Sequence, residues 1–97
     1  MFDKSKINVL AVDDRKENLM VLEHSLKSPI ISIVKAESGK QALALIKNIS
    51  FALILMDVQM PEMNGFETAE RIRKNEVSKS IPIIFVTAIS KDDKYVF

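Results

Sequence analysis

The chain has 97 residues, of which 47% are hydrophobic and 28% charged, and its 14 Lys and Arg nearly balance its 13 Asp and Glu. This length predicts one small globular domain, and the balanced charge argues against direct nucleic-acid binding, which requires a basic surplus on one face. The chain contains no cysteine, which excludes disulfides and thiolate metal sites. Because no stretch approaches the ~20 consecutive apolar residues of a membrane span, we expect no membrane contact and a cytoplasmic location.

Four apolar segments have the length of β-strands and are rich in β-branched residues. Three of them are nearly continuous rather than alternating, a pattern typical of strands that are covered on both faces of a parallel sheet. The predicted strands are Ile7–Val12, Ile30–Ala36, Phe51–Met56 and Ile81–Val86.

The first predicted helix lies between the first two strands and spans residues 15–28. We expect Asp14 to cap this helix and Glu17 to lie at its N3 position. Its apolar stripe consists of Leu19, Leu22 and Leu26.

Three further helices follow the remaining strands. The second, residues 39–49, begins with a capping box formed by Ser38 and Gln41. The third runs from about Gly65 to Asn75, and the fourth begins after Ser90 and continues to Phe97. The residues of the third helix expected to face the core are Phe66, Ala69 and Ile72. Strand and helix therefore alternate four times, which predicts the α/β class with a parallel sheet.

Polar residues follow three of the predicted strands, at the carboxyl ends of the strands, where α/β proteins bind ligands. Asp13 and Asp14 follow the first strand, Asp57 the third, and Thr87 the fourth. If these strands are neighbours, three carboxylates repel one another unless a cation lies between them, and oxygen ligands without His or Cys favour Mg²⁺. A carboxylate beside Mg²⁺ is a suitable nucleophile toward phosphorus, and the Thr87 hydroxyl could bond a phosphoryl oxygen.

Each of these residues also has a simpler interpretation when it is taken singly. Asp14 could cap a helix, Asp13 could be a solvated strand end, and Asp57 could form a turn before Pro61. Thr87 could be an ordinary strand residue. The joint placement of all four at successive strand ends favours a functional site.

Three stretches resemble the motif blocks of the receiver domain of bacterial two-component response regulators. They are VLAVDDRKENL at 9–19, LILMDVQMPEMNGFE at 53–67 and IPIIFVTA at 81–88. The resemblance implies a flavodoxin-like, doubly wound sheet with strand order 2-1-3-4, an order taken from the family. It identifies residues 1–97 as a receiver domain that is incomplete at its C-terminus.

The resemblance also implies a regulatory phosphoacceptor domain rather than an enzyme. Asp57 would accept a phosphoryl group from the phosphohistidine of a sensor histidine kinase or phosphotransfer protein. Asp13, Asp14, Asp57 and the backbone carbonyl of Gln59 would hold Mg²⁺.

Two residues after the fourth strand match the family's switch. Thr87 corresponds to the hydroxyl that contacts the phosphoryl group and moves with it. Ala88 corresponds to the small residue beside it, where a larger side chain would crowd the site.

The chain departs from the family pattern after Phe97, since it contains neither a fifth strand and helix nor the lysine at the end of that strand. Without this positive charge, we expect formation of the acyl phosphate to be impaired. We also expect the fourth strand to be an open edge, so that the chain self-associates as a homodimer or domain-swapped dimer or folds only marginally.

Two other functions compete with phosphoryl acceptance. The first is a receiver-like interaction module that no longer phosphorylates and self-associates through its sheet edge. The second is a Mg²⁺ phosphohydrolase with an aspartyl nucleophile, which would require a second acid two residues after Asp57, where Gln59 stands.

Overall fold

A parallel sheet of four strands forms the centre of the molecule. The structure is a computed structural model that describes residues 6–86. Its elements are β1 (Ile7–Val12), α1 (Lys16–Ser25), β2 (Ile31–Ala36), α2 (Gly39–Ile46), β3 (Leu53–Asp57), α3 (Gly65–Lys74) and β4 (Ile83–Val86). The strand order is β2-β1-β3-β4, and all neighbouring strands are parallel. The α/β class and the predicted order are therefore confirmed, while the predicted fourth helix lies outside the described residues.

The main core lies between the sheet and the pair α2 and α3. Alternate residues of β1 and β3 point to this face, and Leu10, Ile54 and Met56 are fully buried there. From the helices, Ile46 and Ile72 join the same cluster. Val9, Ala11 and Leu55, which alternate with these strand residues, are buried on the opposite face, where α1 contacts β1. This division follows from right-handed crossovers between parallel strands.

Side chains cap the starts of α2 and α3. Asn64 caps α3 and forms a complete capping box with Glu67. Ser38 accepts a hydrogen bond from the backbone N–H of Gln41 (3.0 Å), as predicted. The side chain of Gln41 accepts from the N–H of Glu37 rather than that of Ser38, so the predicted capping box is only half formed.

Two predictions about side chains are wrong. Arg15, not Asp14, is the N-cap of α1, and the Arg15 side chain forms no capping hydrogen bond. The carboxylate of Asp13, rather than that of Asp14, accepts a hydrogen bond from the backbone N–H of Arg15. Phe66 is 58% exposed and does not face the core, because the buried stripe of α3 passes through Thr68 and Ile72.

The edge of the sheet near β4 carries exposed apolar side chains. Phe66 packs against Phe85 of β4 with ring centroids 4.9 Å apart, and Ile84 is 51% exposed. Within residues 6–86, β2 and β4 are the two outer strands. No helix in this range is long and apolar enough to cross a membrane.

Candidate functional site

Three carboxylates converge at the carboxyl ends of β1 and β3. The parallel register pairs Val12 with Met56, so Asp13 and Asp57, the next residues, emerge side by side. Oxygen atoms of Asp13, Asp14 and Asp57 all lie within 4.8 Å of one another. The structure thus brings together all three acidic residues that the sequence singled out.

Two of these carboxylates are withdrawn from solvent and one is not. Asp13 is 4% exposed and Asp57 is 3% exposed, whereas Asp14 lies at the surface. Asp13 is held in place by the backbone N–H of Arg15 (2.9 Å) and the side-chain amide of Asn18 (3.0 Å). Sequence reasoning missed Asn18, although its position in the first turn of α1 places it within reach of the end of β1.

Burial and repulsion between neighbouring carboxylates raise the pKa values of Asp13 and Asp57. Burial, together with the negative charges of Asp13 and Asp14, raises the pKa of Asp57 from 3.8 to about 6, although the N–H groups of Gln59 and Val58 act to lower it. Burial also raises the pKa of Asp13, while its bonds from Arg15 and Asn18 oppose the rise. A cation among the three oxygens would remove this penalty.

The loop between β3 and α3 bends back over the end of β3. The N–H of Gly65 donates to the carbonyl of Val58 (2.8 Å), and a β-carbon on Gly65 would overlap the carbonyl oxygen of Asp57. Glycine is therefore required for this close approach. The loop also contains a tight turn at Glu62, whose φ is 67°, with the N–H of Met63 bonded to the carbonyl of Pro61 (2.8 Å).

Of the other predicted site residues, the structure describes Gln59 but not Thr87 or Ala88. Gln59 is exposed in the loop that directly follows Asp57. Val86, the last residue of β4, is the register partner of Asp57. Thr87 and Ala88 lie outside the described residues, so their assigned roles stay predictions.

The donor set fits a hard divalent cation. It consists of carboxylate oxygens, two of them buried, with neither His nor Cys among the clustered side chains. Such oxygen ligands favour Mg²⁺ and related ions over zinc. The raised pKa of Asp57 supports the same conclusion, because a buried acidic cluster is destabilised by its own charge.

Comparison with known proteins identifies the family. Residues 9–96 match the response regulator receiver domain. The chain belongs to this family. Receiver domains are regulatory phosphoacceptor domains of two-component phosphorelay signalling, they pair with histidine kinases or phosphotransfer proteins, and they typically bind Mg²⁺ at an acidic pocket.

Curated relatives of this receiver domain are much longer proteins. It is 36% identical over 93 residues to a probable cyclic di-GMP phosphodiesterase of Vibrio cholerae, covering 96% of this chain and 21% of the relative. It is 39% identical over 88 residues to the signal transduction histidine-protein kinase BarA of Escherichia coli, covering 89% of this chain and 10% of the kinase. The chain therefore spans about a fifth or less of these relatives.

Solved structures share the fold. The chemotaxis protein CheY4 of Vibrio cholerae superposes with a TM-score of 0.80 at 32% identity, over 92% of this chain and 74% of that one. The receiver domain of a sensor histidine kinase from Pseudomonas aeruginosa gives a TM-score of 0.79 at 29% identity, with the same coverage. That structure has a magnesium ion coordinated in its active site cleft. The predicted receiver family and flavodoxin-like fold are confirmed.

Proposed function

We propose that this receiver domain accepts a phosphoryl group on Asp57, in a Mg²⁺-dependent reaction, from the phosphohistidine of a histidine kinase or phosphotransfer protein. The observation that carries the proposal is the position of Asp57, which is 3% exposed and lies within 4.8 Å of two other carboxylates at the end of β3. Such a carboxylate can face a phosphoryl group while its neighbours hold a cation.

The transfer exchanges one bond to phosphorus for another. A carboxylate oxygen of Asp57 attacks the phosphorus atom and forms a P–O bond as the P–N bond of the phosphohistidine breaks. The bonding electron pair stays with the imidazole nitrogen, which is the leaving group. Asp57 must be ionised to attack, and a pKa of about 6 leaves it mostly ionised at neutral pH.

The other acidic residues would hold the metal ion. Asp13, Asp14 and Asp57, with the backbone carbonyl of Gln59, would bind Mg²⁺, which supplies positive charge against the phosphoryl oxygens. The hydrogen bonds from Arg15 and Asn18 hold the Asp13 carboxylate at the site. Thr87 would contact the bound phosphoryl group, with Ala88 leaving room beside it, and this contact would switch an output or partner.

Residues 1–97 would belong to one receiver domain, incomplete at its C-terminus, that acts in the cytoplasm. The identity of the two-component partner would set which signal arrives.

A phosphorylation assay tests the site assignment. The chain is incubated with acetyl phosphate and Mg²⁺ and its intact mass is measured. We expect the mass of one phosphoryl group to be added to the wild type and to Glu62→Gln, a control in the same loop, but not to Asp57→Asn. Removing Mg²⁺ with a chelator should abolish the gain. A gain that persists in Asp57→Asn would contradict the assignment.

A second function is favoured by the apolar edge of the sheet. In the sheet formed by residues 6–86, β4 is an outer strand, and its Ile84 and Phe85 are 51% and 40% exposed. They favour an interaction module that self-associates through this edge without phosphorylation. Sedimentation at micromolar concentration would show a dimer in that case, and a stable monomer that gains a phosphoryl group would exclude it.

A further inference from the structure

A groove separate from the carboxylate cluster lies between α2, α3 and the loop that precedes α3. Its volume is about 460 Å³, a size typical of ligand-binding clefts. Residues of α2 form one wall, residues 61–63 of the loop form another, and Arg71 of α3 borders the opening.

Positive charge dominates the lining. Lys40 lies in α2 and Lys47 is the C-cap residue of this helix, seven positions later; both line the groove, and Arg71 joins them from α3. Within residues 6–86, none of these three side chains forms an ion pair. Of the described residues that line the groove, Glu62 alone is acidic, so this lining has a positive surplus and attracts a negatively charged ligand.

The floor of the groove is apolar. Leu43 and Ala44 lie between the two lysines along α2, and Met63 faces them from the loop. Leu43 and Met63 are only half-buried, so each has further apolar surface to cover. Among residues 6–86, no aromatic side chain lines the groove, which disfavours a nucleotide base as the occupant, since bases are commonly held by stacking.

We propose that this groove binds an acidic segment of a partner protein that carries apolar residues between its carboxylates. The carboxylates pair with Lys40, Lys47 and Arg71, and the apolar side chains contact Leu43 and Met63. A purely anionic ligand would leave this apolar surface uncovered, and a purely apolar one would leave the cations unpaired. The cationic side chains and the apolar floor together therefore favour a ligand that is both acidic and apolar.

Binding is measured by fluorescence anisotropy with a fluorescein-labelled peptide that alternates glutamate with leucine. The test variant is Lys40→Glu combined with Arg71→Glu, and the control is Lys74→Glu combined with Lys79→Glu, which makes the same change in net charge outside the groove. We expect the test variant to weaken binding at least about tenfold and the control by less than about threefold. Added salt should weaken binding to the wild type, since the pairs are near the surface.

Two further probes separate the proposed ligand from others. A peptide with serine in place of leucine should bind about tenfold more weakly, and a peptide with lysine in place of glutamate should not bind. If inorganic tripolyphosphate or the glutamate–serine peptide binds as tightly as the glutamate–leucine peptide, the ligand is a simple anion and the proposal is overturned.

Loss of folding is excluded separately. Lys40 and Arg71 are exposed, so circular dichroism of the test variant should match that of the wild type. If it does not, Lys47→Glu alone serves as the test variant. Equal weakening by the groove and control variants, or no saturable binding to the wild type, would also overturn the proposal.

Discussion

Gly65 lies so close to Asp57 that a β-carbon on the glycine would overlap the carbonyl oxygen of the aspartate. The same β-carbon would lie 2.9 Å from the Asp57 carbonyl carbon and from the Cα of Val58. The first residue of α3 thus packs directly on the backbone that carries the proposed phosphoacceptor. Any side chain at Gly65 must displace this backbone, because no flexible side chain is available to move aside.

Gly65→Ala should therefore reduce the free energy of unfolding by about 2–3 kcal/mol, as strongly strained substitutions do. Urea denaturation followed by circular dichroism measures this change. An alanine variant as stable as the wild type would show that the contact is looser than the structure indicates.

Gly39 provides a matched control for Gly65. A β-carbon there would overlap the side-chain oxygen of Thr68 instead of backbone. We expect Gly39→Ala to lower the free energy of unfolding by about 1 kcal/mol less in a Thr68→Ala background than in the wild type, because the Thr68 hydroxyl no longer obstructs the added β-carbon. No second substitution of this kind can relieve Gly65→Ala.

At Glu62, by contrast, we expect a substitution by glycine to stabilise the protein. Its φ of 67° is unfavourable for a residue with a β-carbon and is readily adopted by glycine. Glu62→Gly should raise the free energy of unfolding by about 0.5–1 kcal/mol after the entropy lost by glycine is included. Glu70→Gly, within α3, is the control and should lower it by about 1 kcal/mol. The same denaturation experiment checks both, and equal losses in the two variants would contradict the prediction.

Stability should depend on pH through Asp57. Its pKa is about 6 in the folded protein, above the ordinary value of 3.8 expected in the unfolded chain. The folded state therefore holds the proton more tightly, and stability falls as pH rises from about 4 to about 6. The raised pKa of Asp13 acts in the same direction.

Asp57→Asn removes the ionisation and should be more stable than the wild type at neutral pH by about 1–3 kcal/mol, measured without Mg²⁺. At about pH 4 the two proteins should be nearly equal in stability. Denaturant midpoints across this pH range provide the comparison, and parallel pH profiles would contradict the assigned pKa.

Mg²⁺ affinity should depend on the exposed carboxylate as well as the buried ones. Asp14→Ala removes one oxygen donor and should weaken Mg²⁺ binding at least about tenfold in titration calorimetry. Glu17→Ala is the control, since Glu17 is a nearby exposed acid outside the cluster, and should change affinity by less than about twofold. Equal affinities for Asp14→Ala and the wild type would count against the proposed metal site.

Helix α3 shows which features of a helix can be predicted from the local sequence. The sequence predicted a start at about Gly65, and the structure begins the helix at this residue, with a capping box of Asn64 and Glu67 that only the structure revealed. Apolar periodicity correctly placed Ala69 and Ile72 in the core. The same periodicity wrongly placed Phe66 in the core. How wide a face of the helix is buried depends on how the helix packs on the sheet, and Phe66 lies at the margin of the buried face, beside Phe85.

By itself, the sequence determined the alternation of strands and helices, because hydrophobic runs and cap residues are local patterns. The placement of Asp13, Asp14 and Asp57 after successive strands also indicated one acidic site at the sheet edge. Only the tertiary structure decided which of these carboxylates is exposed, and that Asp13 binds Arg15 and Asn18. Burial, the raised pKa of Asp57 and the groove beside α2 all arise from contacts between distant segments, which no local pattern encodes.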